Sequence, residues 1–291
     1  MKIIKIEPQG FCGGVVYAIN MVEKALAGEN ATKPIYMLGN VVHNKNVVRA
    51  FRERGVIVLE GASRDEMLEK IDSGTIIITA HGASDKIRKR AREKGLNIID
   101  ATCRHVTKTH ELVKEKLSAG YGVYYYGKKN HPETEGILGI SSAIILVSDD
   151  NNLDKLPKCE GKAILTNQTT MSYLEVYRLY EKLRRIIPHL ELAEEICDAT
   201  RRRQEAVIAQ KGKIDLCVVV GDTLSNNTRM LKETAEKNGI KAIQVEGAAE
   251  LDNYDFSPYE TVGVTAGAST PKNIINDVIA ALAAIKNTSP N

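Results

Sequence analysis

Three short apolar runs, PIYMLG, GVYYYG and DLCVVVG, end in Gly39, Gly127 and Gly221, and four residues beyond each glycine stands a polar side chain: His43, His131 or Ser225. Apolar runs of this length, closed by glycine, read as strands buried on both faces. A second run follows each of them, VIVLEG, AIILVSD or KAIQVEG, and then a third whose end is rich in small polar residues: ITAHGAS, LTNQTTMS and VTAGAST. Helical patterns come next over 84–94, about 172–187 and 271–286, the first two strongly charged and the last rich in alanine. Two of the three series close with a further strand, LNIID or LELAEEI. Strands alternating with helices at these lengths predict parallel sheets joined by helical crossovers.

The cysteines mark the same repeat. Cys12, Cys103 and Cys197 are 91 and 94 residues apart, and each precedes a helical run: GGVVYAINMVEKALA, RHVTKTHELVKEKLSAG and DATRRRQEAVIAQKG. A recurrence of about ninety residues defines three modules, 14–98, 99–193 and 194–291 together with 1–13. The third lacks a closing strand, and KIIKIE at residues 2–7 leads into Cys12 as the other closing strands lead into Cys103 and Cys197. The expected fold is therefore α/β: three pseudo-threefold-related modules with parallel sheets around a central cavity, the N-terminal strand completing the third.

Composition narrows the class. The 291 residues are 43% hydrophobic and carry 40 basic against 37 acidic side chains, a net charge of +3, with the charges interleaved along helices. That excludes a disordered chain and argues against nucleic acid as the partner. No run approaches the roughly 18 apolar residues of a membrane span. MKIIKIEPQGFCGG meets Pro8 too soon for a signal peptide, so the start reads as mature sequence of a cytoplasmic protein. Five cysteines, an odd number in a chain of this size, argue against a disulfide framework.

Ligands of open parallel sheets bind beyond the carboxyl ends of the strands, where every repeated polar motif falls. Ring closure would gather Cys12, Cys103 and Cys197 near one axis with His43, His81, His131, Thr169, Ser225, Asn227 and Ser269. Small thiols at helix starts also pack without function, but repetition at equivalent positions favours ligation. Two metals remain open at this stage. Zinc on three thiolates keeps a position for water and supports phosphate-ester hydrolysis, with His131 or Glu133 as base. A four-iron iron–sulfur cluster on three thiolates keeps one iron open to substrate. Cys217, inside an apolar strand, and Cys159, in a loop, read as structural, and His105, His110 and His189 as ordinary histidines. The remaining groups suit phosphate or diphosphate: helix N-termini with Ser, Thr, Asn and His donors. Ser225 and Asn227 equally suit helix capping, as does Ser269 just before Pro271. Glu133, in a first helical turn, either complements the helix dipole or relays protons, with Thr169 as its hydroxyl partner.

These segments carry a resemblance. GFCGGV, GNVVHNKNVV, TAHGAS, DATCRHVTK, NHPETEG, NQTT, ICDATRRRQEAV, SNN and GVTAGAS, in this order across nearly the whole chain, resemble the IspH or LytB family of 4-hydroxy-3-methylbut-2-enyl diphosphate reductases. The resemblance implies a trefoil around a [4Fe–4S] cluster held by Cys12, Cys103 and Cys197, with one iron open and prone to loss in air as a [3Fe–4S] form. It implies diphosphate binding by His43, His81, Ser225, Asn226, Asn227 and Ser269. His131 and Thr169 would serve the allylic hydroxyl, and Glu133 would deliver protons. The implied reaction is reductive dehydroxylation to isopentenyl and dimethylallyl diphosphate, the last step of the methylerythritol phosphate route. Electrons would come from ferredoxin or flavodoxin, in a monomer or weak dimer. A cluster-bearing sensor derived from the family is the remaining alternative. Two positions depart from the family pattern: Arg104 follows Cys103 where proline is common, and Asn226 stands where a second serine is frequent.

Overall fold

The structure, a computed structural model, describes residues 1–61, 63–148 and 150–285; the last position of the expected 271–286 helix and the end of the third module lie outside the described residues. After β1 (Lys2–Lys5) and α1 (Gly13–Leu26) come β2 (Ile35–Leu38), α2 (Lys45–Glu53), β3 (Ile57–Leu59), α3 (Arg64–Glu69), β4 (Thr75–Ile78), α4 (Asp85–Glu93) and β5 (Asn97–Asp100). The succession recurs as α5 (Arg104–Ser118), β6 (Gly122–Tyr126), α6 (Pro132–Leu138), β7 (Ile145–Val147), a 3-10 turn at Asp150–Lys155, β8 (Ala163–Asn167), α7 (Tyr173–Leu183) and β9 (Leu190–Leu192). It recurs again as α8 (Asp198–Ile208), β10 (Leu216–Val220), α9 (Asn226–Lys237), β11 (Lys241–Val245), a 3-10 turn at Ala248–Asn253, β12 (Thr261–Ala266) and α10 (Lys272–Ile285).

The strands form three parallel four-stranded sheets with one repeated order: β3-β2-β4-β5, β7-β6-β8-β9 and β11-β10-β12-β1. The N-terminal strand takes the place expected for it, pairing Lys2 with Thr261 and Lys5 with Val264. Three expected elements are shorter than the sequence pattern suggests, and two more were not expected. α7 stops at Leu183 rather than near 187, the chain running on through turns in which the Ile187 N–H still reaches the Leu183 carbonyl at 2.8 Å before Pro188. The strand in LELAEEI covers only Leu190–Leu192, and β1 ends at Lys5 although the Ile6 N–H still reaches the Val264 carbonyl at 2.8 Å. α2 and α3 fill connections that the apolar pattern had left without elements.

By compactness the chain divides into two units. The first comprises Met1–Gly13, His43–Val47 and Cys197–Asn291; the second comprises Gly14–Val42 and Val48–Ile196. In the first unit β10 is buried along its whole length, so alternate residues serve two cores. Leu216, Val218 and Val220 pack with Ile275, Val278 and Leu282 of α10, whereas Cys217 and Val219 face Val207 of α8 and Leu231 and Ala235 of α9. The second unit holds the other two sheets. Tyr124 and Leu165 pack with Leu179 and Leu183 of α7, and Val123, Tyr125 and Ile164 pack with Val113 of α5 and Ile137 of α6. Leu38, Ile76 and Ile78 form a further core with Ile87 and Ala91 of α4. In every sheet the central strands are apolar on both faces, which leaves their carboxyl ends and the loops beyond as the place for polar chemistry.

Candidate active site

In the first unit the loop after β10 leads into α9. Gly221 at φ 147° makes the turn, and a Cβ there would lie 2.6 Å from the Thr270 hydroxyl. Ser225 is the N-cap of α9, its Oγ accepting from the Thr228 N–H at 3.3 Å. Ser269 does not cap α10, which begins three residues later at Lys272; its hydroxyl donates to the His43 carbonyl at 2.9 Å and lies 3.4 Å from Ser225 Oγ. The His43 segment is further tied by the Lys45 N–H, which donates to Asp222 Oδ2 at 2.9 Å. Asn227 is not a cap either. Its Oδ1 accepts from the Ala268 N–H at 2.9 Å and its Nδ2 donates to Thr200 Oγ1 at 3.1 Å. Asn226 turns along its own helix, with Oδ1 accepting from Arg229 at 2.7 Å. Ser225, Asn226, Asn227 and Ser269 are all buried.

In the second unit the loop after β6 leads into α6, and His131 is the N-cap: its Nδ1 accepts from the Glu133 N–H at 3.2 Å. In the neutral ring the proton therefore sits on Nε2. The His81 ring meets that of His131 edge-on, with centroids 5.4 Å apart. Glu133, 1% exposed, receives the Thr169 N–H at 2.7 Å and the Thr169 hydroxyl at 3.0 Å. Burial pushes its pKa up to about 7, against the opposing pull of those two hydrogen bonds. A carboxylic acid poised there both holds and releases a proton near neutral pH. Behind this group, buried Arg64 donates to the Pro132 carbonyl at 3.0 Å and to Thr79 Oγ1 at 3.4 Å, joining the strand ends that carry His131 and His81.

The cysteines sort as their positions do. Cys103 and Cys197 are N-caps whose side chains make no capping bond, Cys12 directly precedes α1, and all three are outside any disulfide and partly exposed. Cys12 N–H donates to the Ala268 carbonyl at 3.1 Å, Cys103 N–H to the Ala80 carbonyl at 3.0 Å, and the Cys197 thiol lies 3.2 Å from Thr200 Oγ1. Next to Cys12 and Cys197 lies buried Arg203, whose Nε–H has no acceptor among the described residues. Partly exposed thiols at helix starts, with a buried guanidinium bound to the loop before one and the helix after another, fit an anionic iron–sulfur group. Cys217, by contrast, is sealed in β10, where burial raises its thiol to about 12, and the Cys159 N–H donates to the Tyr124 hydroxyl. His110 is buried against Gly82 and Gly136, its pKa pushed down to about 4 by burial and then by Arg88.

Sequence reasoning missed Thr200, Arg203 and Arg64. For the first two a signal existed: Thr200, Arg203, Gln204 and Val207 share one face of a helix that starts right after Cys197, and all four are buried.

The fold defines an α/β enzyme in which the loops beyond the parallel strands carry helix-start thiols, a buried carboxyl group and buried uncharged polar side chains. Known proteins narrow this further. The family profile described as LytB protein matches residues 3–283. A 4-hydroxy-3-methylbut-2-enyl diphosphate reductase of Bacillus cytotoxicus is 48% identical, covering 100% of this chain and 93% of its own length, and one of Anoxybacillus flavithermus is 47% identical over 96% and 89%. The solved structure of the E-1-hydroxy-2-methyl-but-2-enyl-4-diphosphate reductase from Plasmodium falciparum superposes with TM-score 0.89 at 31% identity, covering 96% of this chain and 87% of that one. The chain belongs to the LytB family, whose members are iron–sulfur enzymes.

Proposed function

We propose that this chain reduces (E)-4-hydroxy-3-methylbut-2-enyl diphosphate to isopentenyl diphosphate and dimethylallyl diphosphate, the last step of the methylerythritol phosphate route. The observation that carries this reading is the buried Glu133, with a pKa near 7, on a chain nearly half identical along its length to reductases of that name. Two electrons and two protons enter, the allylic C–O bond breaks, a C–H bond forms, and water leaves. Cys12, Cys103 and Cys197 each give a thiolate to a [4Fe–4S] group, a reading supported by their repeated place at helix starts. Such a group, with one iron lacking a protein ligand, supplies one-electron reduction and a Lewis-acidic iron when bound.

The chain's own residues do the rest. Ser225, Asn226, Asn227 and Ser269, with His43 and His81, take the diphosphate; hydroxyls, amides and imidazoles near the start of α9 donate to the phosphate oxygens, and the helix dipole adds favourable potential. Glu133 holds the proton for the departing hydroxyl. Thr169 fixes both carboxyl oxygens of Glu133, and His131 directs Nε2–H outward from its cap while serving the same hydroxyl. The modules 14–98, 99–193 and 194–291 with 1–13 are the units of the repeat. Ferredoxin or flavodoxin donates the electrons, to a monomer or weak dimer in the cytoplasm; among the described residues no helix is long and apolar enough to cross a membrane. A zinc hydrolase and a non-catalytic sensor are not favoured, since full-length relatives are named reductases.

The test is anaerobic purification, assay of iron, acid-labile sulfide and zinc, and addition of dithionite, a viologen and the hydroxylated allylic diphosphate to the same sample. Iron and sulfide with substrate-dependent viologen oxidation are expected. Zinc without sulfide, or a full cluster without turnover, overturns the reading.

A further inference from the structure

Three arginines in a row, Arg201, Arg202 and Arg203, lie near the start of α8, and they differ sharply in environment: Arg202 is exposed, Arg201 half-buried, and Arg203 only 3% exposed. Burying a guanidinium is costly unless its charge is matched and its N–H groups are used. Arg203 spends both terminal nitrogens on the backbone and leaves Nε–H without an acceptor among the described residues. Nη2 donates to the Gly10 carbonyl at 2.6 Å, and Nη1 donates to the Ala199 carbonyl at 2.7 Å. The first bond crosses 193 residues of sequence to the loop that ends in Cys12; the second stays on the helix that starts after Cys197.

That loop is tightly determined. Gly10 sits at φ 75°, and a Cβ would meet Ile275 Cδ1 at 3.1 Å and the Thr270 carbonyl at 3.3 Å, while the Cys12 N–H is held by Ala268. Among the described residues no carboxylate pairs with Arg203; burial disfavours its cation, and Cys12, Cys197 and exposed Glu7 are the groups whose negative charge would offset that cost. From the same face of α8, Thr200 touches the Cys197 thiol.

We propose that Arg203 is a positioning residue: its buried guanidinium clasps the loop that delivers Cys12 to the helix that delivers Cys197 and sets a positive charge beside both thiolates. It touches no substrate and acts through the group those thiolates hold, so the inference rests on the iron–sulfur reading above. Lysine at this position keeps the charge but loses the two-pronged grip, and glutamine loses the charge as well.

The experiment compares anaerobically prepared wild type, Arg203→Lys and Arg203→Gln in three measurements: the rate of iron loss to a ferrous chelator, the midpoint potential of the cluster, and the thermal midpoint of the metal-free chain. Both variants are expected to lose iron about 10- to 100-fold faster than wild type, the usual range for partners that orient metal ligands. The potential of Arg203→Lys should stay near wild type. That of Arg203→Gln should move negative, because a lost positive charge disfavours the added electron. Wild-type iron retention in either variant overturns the grip. An unshifted potential in Arg203→Gln, with the metal-free chain merely less stable, overturns the charge role and leaves an ordinary structural arginine. Should the glutamine variant fail to fold, the lysine variant decides through iron retention alone. Absence of iron and sulfide from the wild type would instead sink the reductase reading, which keeps the two failures apart.

Discussion

Glu133 in the second unit and Asn227 in the first occupy the same place in the repeat and do different chemistry. Each lies two residues after the N-cap of the helix that follows a glycine-ended strand: His131 caps α6, Ser225 caps α9. Each is buried, and each presents an oxygen to a backbone N–H two residues beyond its neighbouring third strand, Thr169 after β8 at 2.7 Å and Ala268 after β12 at 2.9 Å. The backbone clamp is shared; the side chain is not. A carboxyl held this way titrates near 7, whereas an amide never titrates and keeps an N–H to donate. One scaffold thus holds a titrating carboxyl in one unit and a neutral amide in the other, the pair to which the proposed function assigns proton delivery and diphosphate binding.

Making the two positions alike breaks the comparison. Glu133→Gln turns the reservoir into an amide of the same shape; turnover should fall about 10²- to 10⁴-fold, the usual worth of a general acid, with substrate affinity and iron content retained. Steady-state kinetics beside equilibrium binding checks this, and a wild-type rate would remove Glu133 from the reaction. The same variant exposes a stability effect. In the fold Glu133 holds its proton more tightly than in the unfolded chain, so its contribution is fully present below about 4.5 and is lost as pH rises through about 7. Across that window wild type should lose about 3 kcal/mol relative to Glu133→Gln, read from urea midpoints at several pH values. Parallel pH dependences in the two proteins would mean that the carboxyl is not held protonated.

The converse change, Asn227→Asp, puts a carboxyl at the proposed diphosphate site and removes the donor to Thr200; KM should rise about 10-fold or more while kcat changes less. An unchanged KM would dissociate Asn227 from the anion. The smallest effect belongs to Ser225→Ala, which should cost about 1 kcal/mol through the lost α9 cap, with a modest rise in KM. A stability loss with no change in KM would leave Ser225 purely a cap.

The layout of the sheets was legible because buried parallel strands are apolar on both faces and end in glycine, and because the repeat pointed KIIKIE to the edge beside β12. The thiols were legible through their spacing and their place before helices. What stayed hidden depended on contacts far apart in sequence. In the run Arg201–Arg203, composition treats three residues alike, and only the helical phase set by Cys197 and Val207 separates the buried one. Ser269 resembles a cap because Pro271 follows, but α10 begins only at Lys272, so its hydroxyl turns to the His43 carbonyl. α2 is short and charged, so little in its composition announced a helix; the Lys45 N–H at its start is held by Asp222, 177 residues away.

The central claim, that Glu133 supplies the proton from a pKa near 7, is tested most directly by the pH dependence of substrate-driven viologen oxidation in wild type and Glu133→Gln, measured on both sides of that value. The wild-type rate should decline through about 7 as the acid is lost, and the variant should be slow with no such limb. A variant that keeps both the wild-type rate and the same limb would contradict the account.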